Sequence, residues 1–336
     1  MTALVTGATG LLGSHLVDLL VERGERPRAL VRPGESTEGL VESGAEIHVA
    51  DLRDAGAVRS AMDGVDEVLH CAARTGPWGP EAEYESTNVR GLETVVRTAL
   101  SAGARRIVHV SSITVHGNDV RGLADETTPL RTESNPYSRS KVVGEQLLKR
   151  MIEQEGAPVT IVRPGWIYGP RDVASFARFA TMIRDGKMVM IGSGRNHVPL
   201  IYVGDAARGL LQAARTEGAV GRPYLLVNDE PVTQGGYLDA IAAEVGAPPP
   251  KRRLPYRLAL VLGATAKTAA RLAHREQPPP VMRYGIQLLG GENRFSIERA
   301  RRELGFVPQV NHVEGVRRSV AWYRTLSSSA SAVRTG

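Results

Sequence analysis

Tyr137-Ser-Arg-Ser-Lys141 places a phenol and an ammonium four residues apart. If Val142, Val143, Leu147 and Leu148 continue a helix, both side chains share one face. A free tyrosine has a pKa of about 10 and is a poor base at neutral pH. A neighbouring ammonium favours the phenolate and lowers that value. Some two dozen residues upstream, Val110-Ser111-Ser112-Ile113-Thr114 ends an apolar run, so a hydroxyl stands at a strand end. A proton relay and an orienting hydroxyl suit hydride exchange at a secondary alcohol or ketone, given a redox ring to exchange with.

The opening stretch offers a seat for such a ring. Ala3-Leu4-Val5 is a short apolar run without alternation, as in a central strand buried on both faces. Gly7, Gly10 and Gly13 follow, then Leu12, Leu16, Leu19 and Leu20 at helical spacing. Strand, glycine turn and helix set a pyrophosphate on a helix N-terminus. The glycine spacing is one residue longer in its first gap than the usual dinucleotide fingerprint. A glycine-rich turn without ligand is the plain alternative.

The remaining elements alternate. Strands are predicted at Pro27–Val31, Glu46–Val49, Glu67–His70 and Arg106–Val110, with helices near Ala55–Met62 and over Glu83–Ala102. That alternation implies right-handed crossovers and an α/β, doubly wound parallel sheet, Rossmann-like, with a smaller, mostly helical C-terminal lobe. Residues 1–165 form the expected dinucleotide-binding domain, completed by about 198–230; 166–197 and 231–326 form a substrate lobe. Residues 327–336 read as a disordered tail, and Pro278-Pro-Pro280 as a rigid, exposed connector.

The second strand ends Leu30-Val31-Arg32-Pro33-Gly34, with no acid at its end to bind ribose hydroxyls. A guanidinium there suits the 2′-phosphate of NADP(H), which is therefore preferred, with NAD(H) as the second choice. The bland reading of Arg32 is a solvated strand-end arginine. Asp51 stands where a carboxylate could accept from the adenine amino group, or serves as a loop or cap residue.

The chain has 336 residues, 42% hydrophobic and 23% charged, a soluble composition. Its formal net charge of +6 comes from arginines scattered along the sequence, which favours a solvated basic surface over a nucleic-acid groove. One cysteine, Cys71, excludes an intrachain disulfide and a cysteine-rich zinc site; no metal is expected. A strand starting at residue 2 leaves no room for a cleaved signal, and a cytoplasmic location is expected. Leu254–Ala273 is interrupted by Arg257, Lys267 and Arg271 and does not read as a membrane span; a helix lying on a membrane surface stays open.

Taken together, Gly7-x-x-Gly10-x-x-Gly13, Asp51-Leu52, His70-Cys-Ala-Ala73, Asn88-Val-x-Gly91, Ser111-Ser112, Tyr137-x-x-x-Lys141 and Arg163-Pro-Gly-x-x-Tyr-Gly-Pro170 resemble the extended short-chain dehydrogenase/reductase family. Gly169-Pro-Arg-Asp172, Val227-Asn-Asp-Glu-Pro-Val232, Leu254-Pro-Tyr256 and Phe295–Phe306 are similar to its 3β-hydroxysteroid dehydrogenase and sterol-4α-carboxylate 3-dehydrogenase branch. The resemblance implies a catalytic set of Ser112, Tyr137 and Lys141, supported by Asn88, which otherwise reads as a helix-starting polar residue. It implies cofactor contacts from Gly7, Thr9, Gly10, Leu11, Leu12, Gly13, Arg32, Asp51, Leu52, Ala72, Ala73, Tyr137, Lys141 and Pro164. It also implies a homodimer; Asp205, in the matching strand-to-helix segment Ile201-Tyr-Val-Gly-Asp-Ala206, reads as a helix cap rather than a catalyst.

Two departures bear on substrate. Ile113-Thr114 replaces the Asp-Glu pair of sugar dehydratases, and Val198 stands where nucleotide-sugar enzymes often carry an arginine for the diphosphate. His116 replaces an aromatic of the family and reads as packed or solvent-facing. Trp78, Trp166, Met188, Val189, Met190, Tyr256, Met282 and Tyr284 could line an apolar pocket, although core packing explains any one of them. The expected activity is interconversion of a ketone and a secondary alcohol on a hydrophobic steroid-, isoprenoid- or polyketide-like substrate. A nucleotide-sugar 4-epimerase is the alternative, and a non-catalytic NADP-sensing protein the third reading.

Overall fold

The computed structural model describes residues 1–120, 122–132, 135–279 and 281–332. A seven-stranded parallel sheet is its spine. Its strands are β1 (Ala3–Thr6), β2 (Arg28–Val31), β3 (Glu46–Val49), β4 (Glu67–His70), β5 (Arg106–Val110), β6 (Val159–Pro164) and β7 (Pro223–Leu226). Their spatial order is β3-β2-β1-β4-β5-β6-β7. The order reverses between β1 and β4, the crevice where such sheets bind ligands beyond their strand ends.

Helices cover both faces. The ones that matter here are α1 (Leu11–Glu22), α2 (Ala55–Ala61), α3 (Gly91–Ser101), α4 (Pro136–Glu155), α5 (Phe176–Arg184), α6 (Val203–Arg215), α7 (Tyr256–Leu272), α8 (Arg283–Gly290) and α9 (His312–Ala332). Ala3, Val5, Leu69, Val108 and Val110 pack with α1 and α6; Leu4, Val68 and Ile107 pack with α2, α3 and α4. One strand thus buries consecutive residues on opposite faces, which is why β1 reads as an unbroken apolar run.

The expected elements are present, with informative differences. The long helix over Glu83–Ala102 contains a π-helical stretch, Glu85–Arg90, before α3. Its wider turn carries the buried Asn88. Asp205 is not a cap. It lies inside the first turn of α6, fully buried, and accepts from the backbone N–H groups of Gln309 and Val310 at 2.8 and 3.0 Å. A distant loop, together with Arg208 of the same helix, claims that carboxylate.

Pro279 is buried, so the proline run is not wholly exposed; Pro280 lies outside the described residues. The backbone of α9 runs to Ala332, so the expected disordered tail is helical over its first six residues, because an alanine and serine run can extend a helix already begun. Residues 333–336 lie outside the described residues. No helix among the described residues is long and apolar enough to cross a membrane.

Candidate active site

The glycine turn has the shape of a phosphate cradle. Gly7 adopts φ +65°, and a Cβ there would stand 2.7 Å from the Ala72 backbone. A Cβ on Gly13 would stand 2.1 Å from the Gly7 carbonyl oxygen. Side chains at either position would push α1 away from the strand ends. Gly10 caps α1 without a side chain, and the helix has no acid in its first turn. The N–H groups of Leu11, Leu12 and Gly13 therefore open α1 with no internal partner, a setting that attracts anionic oxygens. Ala72 and Ala73 follow β4 beside this turn, and Pro164 ends β6. These residues fit a dinucleotide.

The adenosine end is more charged than the sequence suggests. Arg32 is exposed and donates from Nε and Nη2 to Glu35 Oε1 at 2.8 and 2.6 Å. Thr9 donates to Glu35 Oε2 at 2.7 Å. Burial alone would raise the Glu35 carboxyl, but hydrogen bonds from Thr9 and Arg32 hold it below the usual range. The strand end does have an acid, then, three residues past the arginine and beyond the Pro33-Gly34 turn. Asp51 is engaged by Arg53, which donates from its backbone N–H and its guanidinium; those bonds hold the carboxyl down to about 2. Leu52 is buried.

The reacting end is built on the last turn of β5 and the first turns of α4. Asn135 caps α4, accepting from Ser138 N at 2.8 Å, and Pro136 occupies the first turn. The two serines diverge. Ser111 donates to Glu145 Oε1 at 2.5 Å. Ser112 accepts from the backbone N–H and the hydroxyl of Thr114, at 3.2 and 3.1 Å, and lies beside the Tyr137 phenol, whose pKa it pulls down. With its acceptor positions taken by Thr114, the Ser112 hydroxyl keeps its proton free to donate.

Burial raises the Tyr137 phenol above its ordinary value, while the Ser112 hydrogen bond pulls the other way. This differs from the expectation of an amine-acidified phenol. The ammonium of Lys141 is turned to the Val110 carbonyl, at 2.7 Å, and burial lowers its own pKa to about 8, against the opposing charge of Glu145. Beneath it, His70 and His109 are register partners on β4 and β5, stacked 5.3 Å apart and held neutral by burial and by the Lys141 charge. Tyr284 of α8 stands edge-on to Tyr137, ring centroids 6.5 Å apart.

Asn88 does not reach this pair. Its Oδ1 accepts from Arg74 N at 2.7 Å, and its Nδ2 donates to Arg74 O and Ser140 Oγ at 3.0 and 2.8 Å. It ties the loop after β4 to α4. His116 is buried and packed, 3.2 Å from Arg163 Nη1. Trp166 packs edge-on against Phe179 and Tyr237. Sequence reading missed Glu35, Thr114 and the Glu145–Arg163 ion pair; only Glu145, four residues past Lys141, carried a spacing signal.

Residues 3–226 match the model of the NAD dependent epimerase/dehydratase family. The chain belongs to that family. It is an extended short-chain dehydrogenase/reductase, and its relatives include oxidoreductases over almost their full lengths. The 2-alkyl-3-oxoalkanoate reductase of Stenotrophomonas maltophilia is 33% identical, covering 95% of this chain and 98% of the relative. A 4-hydroxy-2-methyl-3-oxo-4-farnesyl-3,4-dihydroquinoline-1-oxide ketoreductase of Stigmatella aurantiaca is 31% identical, over 94% and 95%. Sterol demethylase protein B of Methylococcus capsulatus is 33% identical, over 96% and 98%.

Among solved structures, gox2253 superimposes with a TM-score of 0.82 at 31% identity, covering 97% of this chain and 98% of that one. The NAD complex of a Bacillus cereus UDP-glucuronic acid 4-epimerase shares the fold, at TM-score 0.77 and 21% identity, over 97% and 99%. Family and fold together give the cradle a nicotinamide cofactor.

Proposed function

We propose that this protein interconverts a ketone and a secondary alcohol on a hydrophobic, steroid-, isoprenoid- or polyketide-like substrate, with NADP(H) preferred and NAD(H) accepted. One observation carries the reading: the Ser112 hydroxyl, accepting twice from Thr114, keeps its own proton free to donate beside Tyr137, one helical turn from Lys141.

Bound nicotinamide would supply or take the hydride. In reduction, Tyr137 gives its proton to the carbonyl oxygen as that oxygen gains charge, and its raised pKa keeps it protonated at neutral pH. Ser112 donates to the substrate oxygen and holds it beside Tyr137. Lys141, buried and charged below about pH 8, would hold the cofactor ribose and favour phenolate once the proton has left. In oxidation each role reverses. The N–H groups of Leu11, Leu12 and Gly13 would hold the pyrophosphate, and Arg32, on giving up Glu35, would meet a 2′-phosphate.

The relatives' names support a hydrophobic substrate, as does Val198, buried where a diphosphate would need a cation. That same residue weighs against the nucleotide-sugar epimerase reading. Residues 1–165 with about 198–230 are proposed to bind the cofactor and the remainder to shape the substrate pocket, in a homodimer that light scattering can test. The deciding experiment is NADPH oxidation by the purified chain against a panel of apolar ketones. Turnover that disappears in Tyr137→Phe supports the assignment. Cofactor-neutral isomerisation of a nucleotide sugar refutes it.

A further inference from the structure

The outer side of α7 carries features that hydride transfer does not use. Leu258, Val261, Leu262 and Leu272 are 48, 58, 46 and 77% exposed. With Thr265 and Ala269 they recur at i, i+3, i+4, i+7, i+11 and i+14, a single stripe along the helix. The opposite stripe, Ala259, Gly263 and Ala270, is buried. A Cβ at Gly263 would stand 2.6 Å from Ile286 and 2.9 Å from the Arg283 nitrogen, so α7 lies close against α8. The segment after α7 is also pinned: Trp78 Nε1 donates to the Glu276 carbonyl at 3.0 Å. The exposed stripe therefore sits on a fixed helix.

Charge decides what can cover it. From Val245 to Arg275 the chain has no acid, yet it carries Lys251, Arg252, Arg253, Arg257, Lys267, Arg271 and Arg275. Arg257 and Arg271 are exposed; Arg257 adjoins the stripe beside Val261, and Arg271 lies further round the exposed side of the helix. A second copy docked stripe to stripe would bring like charges together. A surface of phosphate headgroups over hydrocarbon complements both parts at once.

We propose that α7 docks this protein on anionic lipid bilayers. Leu258, Val261, Leu262 and Leu272 enter the acyl boundary, and Arg257, Arg271 and Arg275 meet lipid phosphates. The inference is independent of the redox reading. It would set α8, and with it Tyr284 and Tyr137, on the membrane side of the molecule.

The test is sedimentation of the full chain with vesicles of phosphatidylcholine alone or mixed with phosphatidylglycerol. The bound fraction should rise about tenfold with the anionic lipid and fall again in high salt, where surface charge is screened. Val261→Asp with Leu262→Asp should return binding to the neutral-vesicle level, with the far-ultraviolet circular dichroism and melting of the parent chain. Arg271→Glu with Arg275→Glu gives the same answer without touching the apolar stripe. Equal sedimentation with both vesicles, or full binding by both double variants, overturns the proposal. So does a dimer in light scattering that the Val261→Asp, Leu262→Asp variant splits, because a second copy then covers the face.

Discussion

Glu145 and Arg163 form a buried ion pair, Oε2 to Nη2 at 2.6 Å, directly behind the reacting end. Arg163 Nε reaches both carboxylate oxygens, at 2.9 and 3.2 Å, and Ser111 donates to the same carboxylate. The pair locks α4 to β6 and to the end of β5, the elements that carry Tyr137 and Ser112. Removing one partner leaves the other charge buried and uncompensated. Glu145→Gln should lower unfolding stability by about 3 kcal/mol, read from urea denaturation. An unchanged midpoint would mean that the pair does not hold these elements.

Tyr137→Phe should reduce ketone turnover by about a thousandfold while NADPH fluorescence titration stays within twofold of the parent. Thr114→Val should also slow turnover, by about tenfold, because Ser112 regains a free acceptor and loses its fixed direction. Parent-like rates in Thr114→Val would remove Thr114 from the mechanism.

Arg32 and Glu35 compete for the same ground. Arg32→Ala should raise the KM for NADPH by about ten- to a hundredfold, the value of one lost charge-assisted contact, and leave that for NADH nearly unchanged. Glu35→Gln frees the guanidinium and should shift selectivity further toward NADPH. A rise in both KM values for Arg32→Ala would mean that Arg32 does not read the 2′-phosphate.

Lys141 sets an alkaline limit. Its pKa of about 8 in the cofactor-free chain means that the ammonium is present below that pH and lost above it. With NADPH as the varied substrate, kcat/KM should be level near neutrality and fall as pH rises through about 8. A profile level to pH 10 would show that the ammonium is not needed.

Acid should weaken the fold early. Burial lowers the pKa of His116 to about 4 and of His70 to about 3. The unfolded chain takes up these protons near pH 6.5, the folded chain only at the lower values. Between them the unfolded state binds more protons, so stability drops as pH falls from about 6.5, by up to about 1.4 kcal/mol per unit for each histidine. Melting curves for His116→Gln should show a shallower slope between pH 6 and pH 4; an identical slope would assign the loss to other groups.

Much of this was readable from residue order. Strand positions followed from unbroken apolar runs, because β1 and its neighbours are buried on both faces and need no polar alternation. The cradle followed from the spacing of Gly7 and Gly13, whose missing side chains make room for the Ala72 backbone and the Gly7 carbonyl oxygen. Tyr137 and Lys141 were visible because a helix converts a spacing of four into a shared face. Asp205 was misread as a cap because its partners, Gln309 and Val310, lie about a hundred residues away in sequence.

Local order along the chain thus determined the parallel α/β fold, the family and the residue types of the reacting group. Only the tertiary structure decided that Ser111 turns to Glu145, that Glu35 claims Arg32, and that burial lifts the Tyr137 pKa rather than lowering it. Those outcomes depend on desolvation and on contacts between segments brought together by the sheet, and neither quantity is a property of spacing along one strand or helix.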